Sequence, residues 1–328
     1  MKVPRNRWYW IIGLFLITLL VVGGCASLFE PRQRDQDRAP MAQNQGEQRE
    51  EPTLTVYIVD TEEKKEMKLE EYLEGVVAGE MEADWPEEAY AAQAILARSF
   101  TVNWLDANKK SQYGTDISTD VEEAQAYNPE AITDTIKAAV ERTRGEVLTY
   151  NGKVIKGWFH SYSGGQTASA KEGLNYQGEE PEYITSIDLP ENEYVPEELK
   201  SWTVELEEDT VMQALSKLGA DVGTIEEVKI GETGPSNRAI TLNFVGSEGQ
   251  TEVSAPEFRI AVDPKVLKSL LLTEVSWADG TLTMSGSGFG HGVGLSQWDA
   301  YMLAKEGASP EEIVRKFFPK ATIKRLWE

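Results

Sequence analysis

Three segments of different polarity divide the chain, and only the last can build a hydrophobic core. Lys2, Arg5 and Arg7 precede an uncharged run from Trp8 to Gly24, which ends at Cys25. An apolar run behind positive charges is the layout of an export signal. Val22-Gly23-Gly24-Cys25 sets small residues before the cysteine in the manner of a bacterial lipobox, with Cys25 as the lipidated residue. The uncharged run also continues to Phe29, long enough to span a bilayer as an uncleaved anchor. Both readings cover residues 1–29 and place the remainder on the extracytoplasmic face of a membrane, tethered through the N-terminus. Residues 30–52 are rich in Gln, Arg and Glu and nearly free of apolar side chains. Such a stretch buries too little surface to offset its conformational entropy and reads as a disordered linker. Folding is thereby confined to residues 53–328.

Charge and cysteine count narrow the classes of function. The chain carries 32 Lys plus Arg against 55 Asp plus Glu, a formal charge of −23. That excess argues against nucleic acid as a partner, because phosphate contacts need clustered Lys and Arg. It argues equally against a polybasic grip on anionic lipid. One cysteine excludes an internal disulfide framework and multi-cysteine zinc sites. There is no His-x-x-x-His spacing, so neither a metal nor another cofactor is expected.

The periodicities point to an α+β fold of helices and mainly antiparallel strands. Leu54 to Val59 alternates as a strand. Leu69, Tyr72, Leu73, Val76 and Val77 follow a helical period. Asp84-Trp85-Pro86-Glu87 has the form of a capping box opening a helix to about Trp104. A helix over 134–144 stops at Gly145. Asn151-Gly152 predicts a type I′ hairpin between 146–150 and 153–159. From about 184 to 264 the pattern becomes strand, helix, strand, strand, an inserted smaller α+β lobe. Strands return over 275–285, and helices follow at about 296–305 and 310–317, the last with a capping box at Ser309.

Glu80 stands out. It lies eleven residues after Leu69, about 1100° of helical rotation, so it points within about 20° of Leu69 on the apolar stripe. Desolvation there raises a carboxyl pKa, the condition a general acid needs near neutral pH; the alternative is a structural carboxylate paired with an arginine. Arg98 shares an apolar face with Ala91, Ile95 and Val102, and a buried guanidinium wants a carboxylate. Contact with Glu80 would lower that carboxyl's pKa, so Arg98 instead orients a loop, binds substrate or forms a structural ion pair. Both of the chain's histidines fall in glycine-rich polar segments, His160 in His-Ser-Tyr-Ser-Gly-Gly and His291 in Gly-Ser-Gly-Phe-Gly-His-Gly-Val-Gly. A shared cleft accounts for this pairing better than two incidental loops. A Ser/His/Asp hydrolase built on Ser163 or Ser296 has no nucleophile-elbow pattern behind it.

Three ordered segments resemble the stage II sporulation protein D family, which includes amidase enhancers. They are LEEYLEGVVAGEMEADWPEEAYAAQAILARSFT from Leu69, WFHSYSGGQT from Trp158 and SGSGFGHGVGLSQWDAYMLA from Ser285. Between them, GPSNRAITLNFVGSEGQTEVSAPEFRIAV resembles the family's strand pair ahead of an arginine-containing helix start. The resemblance implies a lytic transglycosylase acting on peptidoglycan glycan strands, in the sporulating branch on glycan already stripped of its peptides by a partner amidase during engulfment. It places the catalytic acid/base on Glu80. It implies that Gln93, Arg98, His160, Ser163, Gly164, His291, Ser296 and Gln297 bind substrate or support the cleft. Ala91 stands where many members carry lysine, and the zinc-binding cysteines of some clostridial members are absent. A lytic transglycosylase needs only one carboxyl, unlike the two of ordinary glycosidases, because the C6 hydroxyl of N-acetylmuramic acid attacks its own C1. The rival expectation is a non-catalytic wall-binding module that activates a cell-wall N-acetylmuramoyl-L-alanine amidase.

Overall fold

A computed structural model describes residues 49–328. The expectations for the export segment, Cys25 and most of the linker lie outside the described residues. The linker's last residues are bound to the body, earlier than the predicted start at 53. Arg49 pairs with Asp106 at 3.0 Å, and Glu51 accepts the Glu70 N–H at 3.1 Å. Among the described residues no helix is long and apolar enough to cross a membrane.

The elements run β1 (Thr53–Ile58), β2 (Glu63–Lys68), α1 (Leu69–Glu80), α2 (Glu87–Asp106), β3 (Ile117–Ser118), α3 (Asp134–Arg142), β4 (Glu146–Tyr150), β5 (Lys153–Val154), β6 (Phe159–His160), α4 (Ala170–Leu174) and α5 (Glu197–Lys200). They continue with β7 (Trp202–Glu207), α6 (Glu208–Lys217), β8 (Ile225–Ile230), β9 (Thr241–Gly246), β10 (Gly249–Ser254), α7 (Ala255–Val262), β11 (Leu271–Ala278) and β12 (Thr281–Ser287). The chain closes with β13 (Leu295–Ser296), α8 (Gln297–Lys305), α9 (Pro310–Phe317) and β14 (Thr322–Arg325). The class is α+β, and the sheets are mainly antiparallel. Among the described residues the β1–β3 and β6–β13 strand pairs run parallel, with one further parallel bridge between Ala168 and Val293.

The first core gathers around α2. Ala89, Ala91, Ala92, Ala94 and Ala97 are all buried, so α1, α3, α8, α9 and β4 can pack closely around this helix. α1 contributes the predicted stripe of Leu69, Tyr72, Leu73, Val76 and Val77, each fully buried. The α2 capping box does not form. Asp84 adopts a left-handed φ of 62°, and the helix starts after Pro86, whose carbonyl accepts the Ala89 and Tyr90 N–H groups. Trp85 sets this entry: it is buried against Trp298 and Tyr301, with ring centroids 4.8 and 5.0 Å away, and its N–H donates to the Tyr90 hydroxyl. At Ser309 the same pattern does produce a capping box, because Pro310 takes a helical position.

The hairpin turns at Asn151 and Gly152, with φ of 49° and 75°. Its second strand is shorter than predicted. It ends at Val154, and Phe159–His160 pairs in parallel with Leu295–Ser296 instead.

A second core joins Trp202, Leu206, Val211, Leu215, Val228, Leu242, Phe244, Phe258, Leu282 and Met284. It draws on two three-stranded sheets, β10-β9-β8 and β11-β12-β7. The lobe therefore extends past the predicted end at about 264. β12 lies between β11 and β7, so Leu282 and Met284 face the lobe's core rather than the first one.

Candidate active site

Glu80 is the last residue of α1 and is partly exposed at the helix end. Its Oε1 accepts the Ala126 N–H at 2.7 Å. Burial pushes its pKa up from 4.5 to about 7, and the Ala126 N–H opposes that rise by favouring the carboxylate. Gly79 permits this contact: a Cβ there would lie 2.6 Å from Tyr127 N and 2.8 Å from Ala126 C. Among the described residues no cation pairs with Glu80.

Arg98 departs from the expectation of a cleft residue. It is fully buried, and its Nη2 lies 2.6 Å from Glu70 Oε2, with Nε donating to the same carboxylate. Its Nη1 donates to Glu146 O and its Nη2 also to Val140 O. Glu70 in turn accepts the Gly145 N–H and the Trp327 indole N–H. Ten residues separate Glu70 from Glu80, about 15 Å along α1, so the guanidinium serves the opposite end of the helix. Arg98 ties α1, α2, α3 and, through Glu70, the C-terminus together, at the end of α1 opposite Glu80.

Gln297 connects Glu80 to the remaining motif residues. Its side-chain amide donates to Glu80 O at 3.1 Å from the start of α8. The preceding Ser296 accepts the Ser163 N–H through its hydroxyl at 3.0 Å. Ser163 Oγ donates to Asp299 Oδ2 at 2.7 Å, while Asn192 donates to Asp299 Oδ1. Ser163 and Ser296 are fully buried and locked to this carboxylate, and neither hydroxyl is hydrogen-bonded to a histidine. A Ser/His/Asp hydrolase is therefore not assembled. Gly164 and Gly165 remain partly exposed beside them.

The two histidines do come together, with ring centroids 5.6 Å apart. His160 Nδ1 faces Val293 O at 3.2 Å and so carries the proton; its Nε2 is buried with no partner among the described residues. His291 Nδ1 accepts the Val293 N–H at 3.0 Å, leaving its proton on Nε2. Burial lowers the His160 pKa well below 6.5, with His291 and Arg238 adding to the effect. Burial followed by the Arg259 and Arg238 charges lowers His291 to about 3. Both imidazoles are neutral at pH 7 and in opposite tautomers. Gln93 is fully buried, and neither atom of its amide has a partner among the described residues.

Sequence reasoning missed Ala126, Asp299 and Arg238. Ala126 acts through its backbone, and Asp299 is one acid among 55 in the chain. Arg238 lies in the quoted GPSNR segment but had no role attached. Among the described residues no group of three or more His, Cys, Asp or Glu is placed to hold a metal ion.

The stage II sporulation protein (SpoIID) family model matches residues 58–150, and a domain of unknown function, DUF8618, matches residues 189–294. An uncharacterised protein of Brachyspira hyodysenteriae is 30% identical over 255 residues, covering 77% of this chain and 66% of that protein. Stage II sporulation protein D of Bacillus amyloliquefaciens is 29% identical over 295 residues, covering 83% of this chain and 81% of its own. The amidase enhancer of Bacillus subtilis is 27% identical over 291 residues, covering 76% of this chain and 40% of its own. The SpoIID model covers α1 with Glu80 and α2, and the relatives extend the likeness over most of the chain; the protein belongs to the stage II sporulation protein D family.

Proposed function

We propose that this protein is a peptidoglycan lytic transglycosylase, with Glu80 as its single general acid/base, that remodels the cell wall, including during sporulation. Protonated Glu80 donates its proton to the glycosidic oxygen of the leaving sugar as the C1–O bond breaks. The C6 hydroxyl of the same N-acetylmuramic residue bonds to C1, and the Glu80 carboxylate takes up that hydroxyl's proton. The product is a 1,6-anhydro end, no water is consumed, and the carboxyl returns protonated. The carrying observation is the Glu80 carboxyl itself, desolvated at a helix end with a pKa raised to about 7. A group near neutrality serves as acid and base in succession. The engagement of Arg98 with Glu70 removes the cation that would have held Glu80 ionised.

The proposal extends to setting. The N-terminal segment tethers the folded part on the extracytoplasmic face of the membrane, through acylated Cys25 or an uncleaved anchor. The −23 charge disfavours glycan bearing anionic peptides, so the preferred strand is denuded, the product of a partner amidase.

Peptidoglycan pretreated with an amidase is the test substrate. Wild-type protein yields anhydro-muramic ends by mass spectrometry, and a folded Glu80→Gln variant yields none. Release by Glu80→Gln would overturn the mechanism. The relative named amidase enhancer supplies the second reading: glycan binding by wild type without cleavage, together with a faster added amidase, would establish a non-catalytic activator.

A further inference from the structure

The second lobe sends one buried side chain into the first. Arg238 lies in the turn before β9 and is 1% exposed. Its Nη2 donates to Ser163 O at 2.5 Å, and its Nη1 donates to Gln166 O at 2.9 Å and to Ser236 Oγ at 2.8 Å. The guanidinium thus grips both ends of the Ser163–Gln166 loop. On its other side is the His291 loop: a Cβ on Gly292 would lie 2.7 Å from both Arg238 Cζ and Nε, and the φ of Gly292 is +82°. The Ala168 N–H donates to Gly292 O at 2.7 Å, so the two loops are sewn together where Arg238 enters.

The turn that carries Arg238 is itself held from the first lobe. Glu172 in α4 is fully buried, and its Oε1 accepts the Ser236 N–H at 3.0 Å and the Arg238 N–H at 3.2 Å. Glu172 anchors the turn's backbone and Arg238 reaches past it to the loop. No ion-pair contact within 4.0 Å joins Arg238 to a carboxylate among the described residues, and its Nε has no partner there. A buried arginine spent on two loop carbonyls is costly for stability alone.

We infer that Arg238 is a positioning residue, through which the second lobe orders the two motif loops and fixes the state of the two histidines at the candidate active site. Its charge acts on both imidazoles along with that of Arg259, disfavouring the imidazolium forms. The segment matched as a domain of unknown function thereby acquires a task at a site built mainly from the first lobe. Only the turnover readout below rests on the transglycosylase reading; the histidine readout does not.

The chain has two histidines, so full-length protein in detergent micelles, labelled with ¹⁵N-histidine, gives two resolvable imidazoles. Wild type is expected to show His160 protonated on Nδ1 and His291 on Nε2 at pH 7. Arg238→Met removes one nearby cation while Arg259 stays in place, so it should raise the proton affinity of both imidazoles, and should scramble the tautomers. It should also cut anhydro-product formation about 100-fold, the scale of a 1 Å misplacement. Arg238→Lys keeps the charge but not the planar fork, so its titration should stay near wild type while turnover falls. If Arg238→Met does not fold, Arg238→Lys carries the test through its tautomers and turnover. Unchanged imidazole signals in folded Arg238→Met, or wild-type tautomers and turnover in Arg238→Lys, would overturn the inference. Should wild type release no anhydro product, the transglycosylase reading falls and the imidazole signals alone decide the role of Arg238.

Discussion

Replacing Glu80 by Gln should stabilise the fold while abolishing cleavage, and the gain should depend on pH in a calculable way. The folded-state pKa of Glu80 is raised from 4.5 to about 7, chiefly by burial. Below pH 4.5 the carboxyl is protonated in both folded and unfolded chains. Between pH 4.5 and about 7 the unfolded chain releases its proton while the folded one holds it, so stability falls as pH rises. That interval, at 1.36 kcal/mol per pH unit, corresponds to about 3 kcal/mol lost above pH 7. Glutamine is neutral throughout, and its carbonyl oxygen can still accept the Ala126 N–H. The variant should therefore exceed wild type by about 3 kcal/mol at pH 8.5 and by about 1 kcal/mol or less at pH 5. Urea unfolding of both proteins, followed by tryptophan fluorescence, measures the difference. Every other titrating group is common to the pair and cancels. The scan stays above pH 5, clear of the pI near 4.6. A gain equal at pH 5 and 8.5 would trace to packing rather than ionisation. No gain at pH 8.5 would show that Glu80 is well solvated and has no raised pKa with which to act as an acid.

Arg98→Met strands Glu70 in the core and should cost about 3–5 kcal/mol of stability in the same urea assay, with turnover per folded molecule near wild type; a turnover defect in folded protein would return Arg98 to the cleft. Gly79→Ala pushes the 126–127 backbone off α1 and breaks the Ala126–Glu80 bond; because that bond lowers the Glu80 pKa, the alkaline limb of the pH–rate profile should move upward as the rate falls. The histidines should act on stability with the opposite sign to Glu80. Their folded pKa values are depressed, so the unfolded chain takes up protons first as pH drops below 6.5, and stability is lost from there down to about 3 for His291. In wild type the two trends oppose each other between pH 5 and 6.5, so the Glu80→Gln variant should show a steeper acid loss than wild type, measurable by thermal melts across that range.

What the sequence revealed and what it concealed follow one physical division. Features fixed within a turn or two of chain were legible: the stripe that carries Glu80, the Asn151-Gly152 turn and the Ser309 capping box are decided by residues within a few positions of each other. The Asp84 pattern looked the same locally, yet its outcome was set by Trp85 packing on Trp298 and Tyr301, more than 200 residues away in sequence. The partner of Arg98 was open for the same reason. A helical wheel gives direction around α1 but not which end a guanidinium on α2 will meet, and the 15 Å between Glu70 and Glu80 is an axial distance. The hairpin signal is local and runs on to Phe159; the true neighbour of Phe159, Leu295, is 136 positions on, joined by a two-residue parallel ladder that leaves no periodicity to read. Arg238 lies furthest from the reach of pattern. Nothing in its own turn distinguishes it from an exposed arginine until Glu172, Ser163 and Gly292, drawn from separate segments, close around it. A side chain set apart by its own environment, as Glu80 is, can thus be found from a stripe, whereas those that act by holding others appear only when the lobes are brought together.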